Sequence, residues 1–387
     1  MSLLLTAVLG NWLASVAGRN VELKAEERTE RQIVAPLPGM SAADLLEAQA
    51  VSNPSSAPAT RAQLLYLGDS QVFSRPDAPP GALNTPQWLQ ILLSRQDDRA
   101  MRVHIGASPG LDIPEMLLKT VAASQQQPHQ DDVIVADLAL AEFRDVGVRG
   151  EINSLASMPA VNSELKSLVS ASADLPDAER MLDPVLNPQD PSLGGKPADK
   201  SLADKMEDML QRKAEGWSFF AQRENLVALG LLRYAQWEHR LLHITSDTRI
   251  PTHAEPYRTN VQILELLMRF AQARGIHLIL FLGPVRDLEP NPDWPADLTR
   301  MHRDVTGLCE KYRVTCLDYS RVIPEDSWAN YSPNQRGAFA MMAGQHDFYH
   351  FKEEGHKALA ERLFSDAGPQ ILEWSKQHGA KQAGAAQ

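Results

Sequence analysis

The chain has 387 residues, which is more than one average domain and fewer than three, and 43% of them are hydrophobic, enough for a real core. A formal net charge of −11 argues against nucleic acid or an anionic membrane surface as the main partner. Two cysteines, Cys309 and Cys316, exclude a disulfide framework.

Leu3 to Gly18 is an apolar run broken by Asn11 and a few small polar residues. It is somewhat short for a membrane span, which needs about 17–25 residues. No basic stretch precedes it, and residues 14–17 (Ala-Ser-Val-Ala) only loosely resemble a cleavage site. The run reads as a signal anchor or signal peptide; a buried or partner-binding helix is the other reading. Arg19 to Gln32 is densely charged with mixed sign, as in a solvated helix or stalk, so 1–34 forms an anchor or signal segment with its stalk. Pro, Ala and Ser then dominate from Ala35 to Pro58, which marks 35–61 as a tether.

The first half of the core spans 62–146. Leu64-Leu65-Tyr66-Leu67 reads as a short apolar strand that stops at Gly68 and presents Ser70 after Asp69. A strand end followed by a tight turn is where an α/β protein exposes a nucleophile. A helix over Trp88–Ser94 and a strand over Arg102–Ile105 follow, and the strand ends in Gly106-Ala107-Ser108-Pro109-Gly110. These five residues also fit the Gly-x-Ser-x-Gly nucleophile elbow, which needs an N–H on the residue after the serine. That residue is Pro109, which has none. Ser108 therefore reads as a turn serine. A third strand over Asp132–Ala136 is buried by its composition and runs into Asp137 to Phe143.

Residues 147–257 read as an insertion, flexible and then helical. Ser, Asn, Asp and Pro accumulate from Asn153 to Asp199, and helical periodicity returns from Leu202 to Leu242. The α/β pattern resumes over 258–374. A helix over Thr259–Arg274 stops at Gly275, and a strand over Ile276–Leu282 ends in Gly283-Pro284-Val285-Arg286. Arg286 reads as a solvated loop arginine, with contact to an anionic substrate group as the alternative. A helix over Ala296–Tyr312 precedes a strand over Val314–Asp318. Cys309 and Cys316 flank this junction and read as two buried thiols, with one local disulfide as the alternative. A closing helix spans Lys352–Phe364, and 375–387 reads as a flexible tail. The alternation gives a three-layer, flavodoxin-like α/β fold: a five-strand parallel sheet with helices on both faces and a helical insertion.

Before the closing helix, Asp347-Phe348-Tyr349-His350 holds a carboxylate and an imidazole three residues apart. Serine is a poor nucleophile until a base takes its proton, and a third group must orient that base. One short loop would supply both. His346, Asp347, His350 and His356 match no standard metal-ligand spacing, so neither a metal nor a cofactor is expected.

Gly68-Asp69-Ser70 paired with Asp347-x-x-His350 resembles the SGNH/GDSL superfamily of esterases and acyltransferases. The resemblance implies Ser70 as nucleophile, His350 as base and Asp347 as its orienter. It also implies an oxyanion hole from the backbone N–H groups of Ser70 and Gly106, the latter where that family's second block has its glycine. The third block departs from the family: Ala139 and Ala141 stand where the family has Gly and Asn. The expected substrate is an acylated glycan of the cell envelope or a small ester. The N-terminal architecture resembles envelope-facing members that work beside a membrane-bound O-acyltransferase, with membrane contact through the N-terminal segment only and an extracytoplasmic location. A catalytically weak binding or assembly partner of such a system is the other reading.

Overall fold

The structure, a computed structural model, describes residues 62–72, 82–96, 101–126, 133–187, 244–331 and 342–385. The chain divides into two compact units. One comprises Val34–Asn187, Ser246–Asn330 and His346–Gln387 and holds the sheet and the candidate site. The other comprises Met1–Ile33, Pro188–Thr245 and Tyr331–Gln345; within it the Tyr331 N–H donates to the Gln345 carbonyl and the Gly344 N–H to that of Tyr331. The expected anchor, stalk, tether and Leu202–Leu242 helices lie outside the described residues. Among the described residues no helix is long and apolar enough to cross a membrane.

Five parallel strands form the central sheet: β1 (Ala62–Leu67), β2 (Met101–Ile105), β3 (Val133–Leu138), β4 (His277–Leu282) and β5 (Thr315–Asp318), in the order β2-β1-β3-β4-β5. Successive side chains of a strand point to opposite faces, so each strand feeds two cores. Leu65, Leu67, Ile134, Ala136, Leu138 and Leu280 meet helices α2 (Ile113–Gln126), α6 (Ala254–Arg274) and α7 (Pro295–Tyr312) on one face. Leu64, Tyr66, Val133, Val135, Ile279 and Phe281 meet α1 (Thr85–Gln96) and α8 (Glu353–Ala385) on the other. The result is the expected three-layer, flavodoxin-like α/β architecture. Strand order reverses between β1 and β3, and ligands of such sheets bind where the carboxyl ends of the strands flank that reversal.

Between β3 and α6 the first part of the expected flexible insertion is instead three packed helices: α3 (Gly150–Ala156), α4 (Pro159–Ser170) and α5 (Pro176–Leu186). The Ser, Asn and Pro content misleads because Pro159 and Pro176 open helices, where a missing N–H costs nothing. Ile152, Leu155, Val161, Leu165, Leu182 and Leu186 pack into the core that α2 and α6 share. The closing helix also differs from expectation. It runs 33 residues, through Pro369 and on to Ala385 where a tail was expected, with Ala367 and Ile371 buried on the sheet-facing side.

The cysteines correct a further expectation. Cys309 at the end of α7 and Cys316 in β5 form a disulfide, their Cα atoms 6.0 Å apart, rather than two thiols. The α7–β5 turn brings them together: Arg313 adopts a left-handed conformation (φ 55°) and the Val314 N–H donates back to the Cys309 carbonyl at 3.0 Å. Finally, β6 (Trp328–Asn330) pairs antiparallel with β7 (His346–Phe351), a ribbon that leads into α8.

Candidate active site

The turn after β1 forms because Gly68 leaves room for it. A Cβ there would stand 2.5 Å from Val72 Cγ2 and 3.0 Å from Asp137 Cβ, so any side chain would displace the neighbours. Ser70 opens a 3-10 turn, Ser70–Val72. Asp69 braces the turn from its start: its Oδ1 accepts the Gln71 N–H at 2.8 Å, and its carbonyl accepts the Val72 N–H at 3.3 Å. Gln71 ties the turn to the end of β4 by donating Nε2–H to the Pro284 carbonyl at 3.1 Å.

Strand β7 packs against this serine turn and carries Asp347 and His350. The sequence places the pair in a short loop, whereas they lie on a strand whose start is bent around the Asp347 carboxylate. Asp347 Oδ1 accepts the N–H groups of Tyr349 and His350, each at 3.0 Å. His350 Nδ1 lies 3.1 Å from Oδ1 and 3.0 Å from Oδ2. Asp347 is 1% exposed, and burial alone would raise its pKa. The His350 imidazole and the two backbone donors outweigh that and hold it below the ordinary carboxylate value. With Nδ1 committed to Asp347, proton exchange with a reacting group falls to Nε2.

Arg286 is not the solvated residue its loop position implied. It is 4% exposed, and its guanidinium lies under β7. Nη1 donates to the Ala329 carbonyl at 2.8 Å and to that of Asp347 at 3.1 Å. Nε and Nη2 reach Glu325 Oε1 at 2.9 and 2.6 Å. Planar, multi-donor geometry lets one arginine hold both strands of the ribbon and the Asp347 backbone. A neighbouring network fixes the other side: Asp293 Oδ1 accepts from Arg144 Nη2 at 2.5 Å and from the Tyr349 hydroxyl at 3.2 Å.

Beneath Ser70 lies a group of acids that the sequence did not single out. Asp69 (7% exposed), Asp137 (1%) and Glu142 (2%) are all buried. Burial pushes Asp137 and Glu142 well above the ordinary carboxylate range, and Asp69 pushes both further. Burial raises Asp69 as well, opposed by the Gln71 N–H and by the charge of His350. At the rim, burial with Glu115 and Asp145 nearby pushes Asp112 up to about 7, against the pull of Arg149. The signal available in the sequence was Asp137 itself, a charged residue continuing the apolar run of β3.

The oxyanion-hole expectation needs correction at Gly106. Its N–H donates to the Tyr66 carbonyl at 2.8 Å, so the sheet has already taken this donor. Ala141 is half-buried in the 3-10 turn Leu140–Phe143 and offers no side-chain donor; Ala139 caps that turn, its N–H donating to Glu142 Oε2 at 3.2 Å. Ser108 sits in a turn closed by the Leu111 N–H on its carbonyl at 3.0 Å, and its Oγ accepts from Arg149 Nη2 at 2.9 Å. Its own N–H donates to the Gly68 carbonyl at 3.2 Å, which fastens the β2 end to the serine turn. Among the described residues, no group of three or more His, Cys, Asp or Glu side chains has metal-holding geometry.

The residues brought together are thus Ser70, His350 and Asp347, at the carboxyl edge of the sheet where its order reverses. The turn that carries the Ser70 hydroxyl packs against the strand that carries the carboxylate-oriented His350 imidazole. No family model matches this chain, and no curated protein matches it.

Proposed function

We propose that the protein is a serine ester hydrolase or O-acyltransferase, resembling the SGNH/GDSL superfamily, in which Ser70 is the nucleophile. The observation that carries this reading is the His350–Asp347 pair, bonded at 3.0 Å and packed against the Ser70 turn. Ser70 Oγ attacks the ester carbonyl while His350 Nε2 takes its proton. The tetrahedral intermediate collapses, the imidazolium returns the proton to the departing alkoxide, and an acyl-serine remains. Water, or a hydroxyl of an acceptor, then attacks that ester with His350 again as base. Asp347 orients the ring and offsets its charge when protonated.

Oxyanion stabilisation is the weak part of this site. With Gly106 committed to the sheet and Ala141 without a side-chain donor, the Ser70 amide and neighbouring backbone supply what remains. One such donor contributes about 3–4 kcal/mol. A site short of donors gains more from positioning an acceptor than from speed on simple esters, which favours transfer onto an envelope glycan. It equally motivates the second reading, a weakly catalytic binding or assembly partner of a membrane O-acyltransferase. The Cys309–Cys316 disulfide supports an extracytoplasmic location, since such bonds persist in oxidising compartments.

Product partitioning tests the reading. An activated acetyl ester is supplied with and without an oligosaccharide acceptor, and acetate and acetyl-sugar are both followed. Slow, Ser70-dependent turnover diverted to acetyl-sugar by the acceptor supports transfer. Rapid acetate release indifferent to acceptor makes the protein a plain hydrolase, and no Ser70-dependent turnover in either channel favours the assembly role.

A further inference from the structure

Four oxygen or carboxyl positions around the serine turn pose one problem. Glu142 Oε1, Asp137 Oδ1 and Gln71 Oε1 are sealed from solvent and have no hydrogen-bond partner among the described residues, although buried polar atoms nearly always have one. The fourth, Asp69, is a buried carboxylate with one oxygen on the Gln71 N–H. With every carboxyl ionised, all of these oxygens are acceptors. Among the described residues, the groups that act most strongly on Glu142 are Asp69 from the β1 end, Asp137 from β3, the Ala139 N–H and Asp112 from the β2–α2 loop, none of them a cation. Asp137 faces Asp69 and, two residues earlier on the neighbouring strand, Tyr66. An unpaired buried carboxylate is so costly that the group takes up a proton instead. A neutral acid then brings a donor for an acceptor beside it.

The pairing follows from position. Asp137 Oδ1 and Gln71 Oε1 lie 2.5 and 2.9 Å from the point where a Cβ on Gly283 would stand, so both face one small space that glycine leaves open. Glu142 has Oε2 on the Ala139 N–H and its other oxygen buried, with Asp69 the charge that acts on it most strongly. We propose that Asp137 and Glu142 are positioning residues, neutral acids that donate hydrogen bonds to Gln71 and Asp69, the two residues flanking Ser70. The clamp holds the serine turn from both sides and leaves Asp69 as the single ionised carboxyl of the three. Asp69 in turn faces His350, so the imidazolium formed during proton transfer has a second carboxylate beside it besides Asp347.

This clamp rests on the reading of Ser70 as nucleophile for its catalytic consequence, but its protonation state is measurable without turnover. Infrared difference spectra of the full chain at neutral pH are expected to show the carbonyl band of protonated carboxylic acids, weakened in Glu142→Gln and in Asp137→Asn and reduced in the double variant to what Asp112 contributes. Both amides keep a donor at the same place, so each variant retains kcat on an activated acetyl ester to within about threefold. Leucine at either position removes the donor and lowers kcat by about ten- to a hundredfold with KM little changed. Wild-type kcat falls at alkaline pH as the clamp loses its protons, and the amide double variant lacks that limb. The pH profile of the amide variants stands as the test should a leucine variant fail to fold. A wild-type spectrum without the band, or one unchanged by both amide substitutions, overturns the proposal, as does wild-type kcat in folded leucine variants. The band without Ser70-dependent turnover refutes the nucleophile reading and leaves the clamp standing.

Discussion

Asp347 shows how one buried side chain sets the chemistry of its neighbours. Its pKa is depressed in the folded chain, so the stability it contributes is present above the ordinary carboxylate value of about 3.9 and is lost as pH falls through its lowered folded value. Asp137 and Glu142 have the opposite sign: raised folded pKa values give stability that is full below the ordinary carboxylate range and is lost as pH rises. Urea unfolding across pH should therefore show Asp347→Asn closing its gap to wild type towards acid, and Glu142→Gln gaining on wild type towards alkali. Equal gaps at every pH would contradict these assignments. On an activated ester, Asp347→Asn should cost about a thousandfold or more in kcat, because the imidazole loses its orientation. Gly283 supplies the steric counterpart. A methyl there meets Asp137 and Gln71 at under 3 Å, so Gly283→Ala should lower stability by about 1–3 kcal/mol and distort the serine turn, read as a lower urea midpoint with reduced turnover. Beyond the charge of Asp137 at the end of an apolar run, this acid cluster was not legible in the sequence, because an Asp or Glu near a strand end looks solvated until the fold seals it. The pairing of Asp347 with His350 was expected from their spacing, and the structure bonds the two at 3.0 Å; their role beside Ser70 is the proposal.

At the scale of elements, the strands and most helices were readable from apolar runs and stop signals. Gly275 ends α6 in a left-handed conformation (φ 67°), as a helix-stopping glycine does. Helices α3–α5 were not readable, since their Ser, Asn and Pro content argues for a loop while sparse leucines and valines do the packing. The turn from α7 to β5 combines two features with separable effects. Arg313 stands in the left-handed region that favours glycine, so Arg313→Gly should raise stability by about 0.5–1 kcal/mol in a denaturant series. The Cys309–Cys316 bond closes a short loop, and replacing both cysteines by serine should cost about 2–3 kcal/mol; wild type with reductant should match that variant. The β6–β7 ribbon depends on Arg286. Arg286→Leu orphans the carbonyls of Ala329 and Asp347, and should lower the unfolding free energy by about 2–3 kcal/mol while reducing kcat more than KM. Unchanged kcat in a folded Arg286→Leu variant would show that the Asp347 backbone needs no such support.

For the whole molecule, sheet order decides where chemistry can happen. The reversal between β1 and β3 opens the crevice, the β1 turn fills it with Ser70, and the ribbon before α8 brings the imidazole. Residues far apart in sequence are thereby gathered at one edge. On the proposed reading, what the site lacks matters as much as what it has: a committed Gly106 amide and an Ala141 without a side-chain donor predict slow turnover of simple esters. The central claim is that Ser70, and no other serine, is the nucleophile. Its most direct measurement is labelling of the folded chain by a fluorophosphonate probe, with the modified residue located by peptide mass spectrometry. The account predicts a label on Ser70 in the wild type and in Ser108→Ala, lost in Ser70→Ala and strongly slowed in His350→Ala; a label that survives Ser70→Ala, or that follows Ser108, would contradict it.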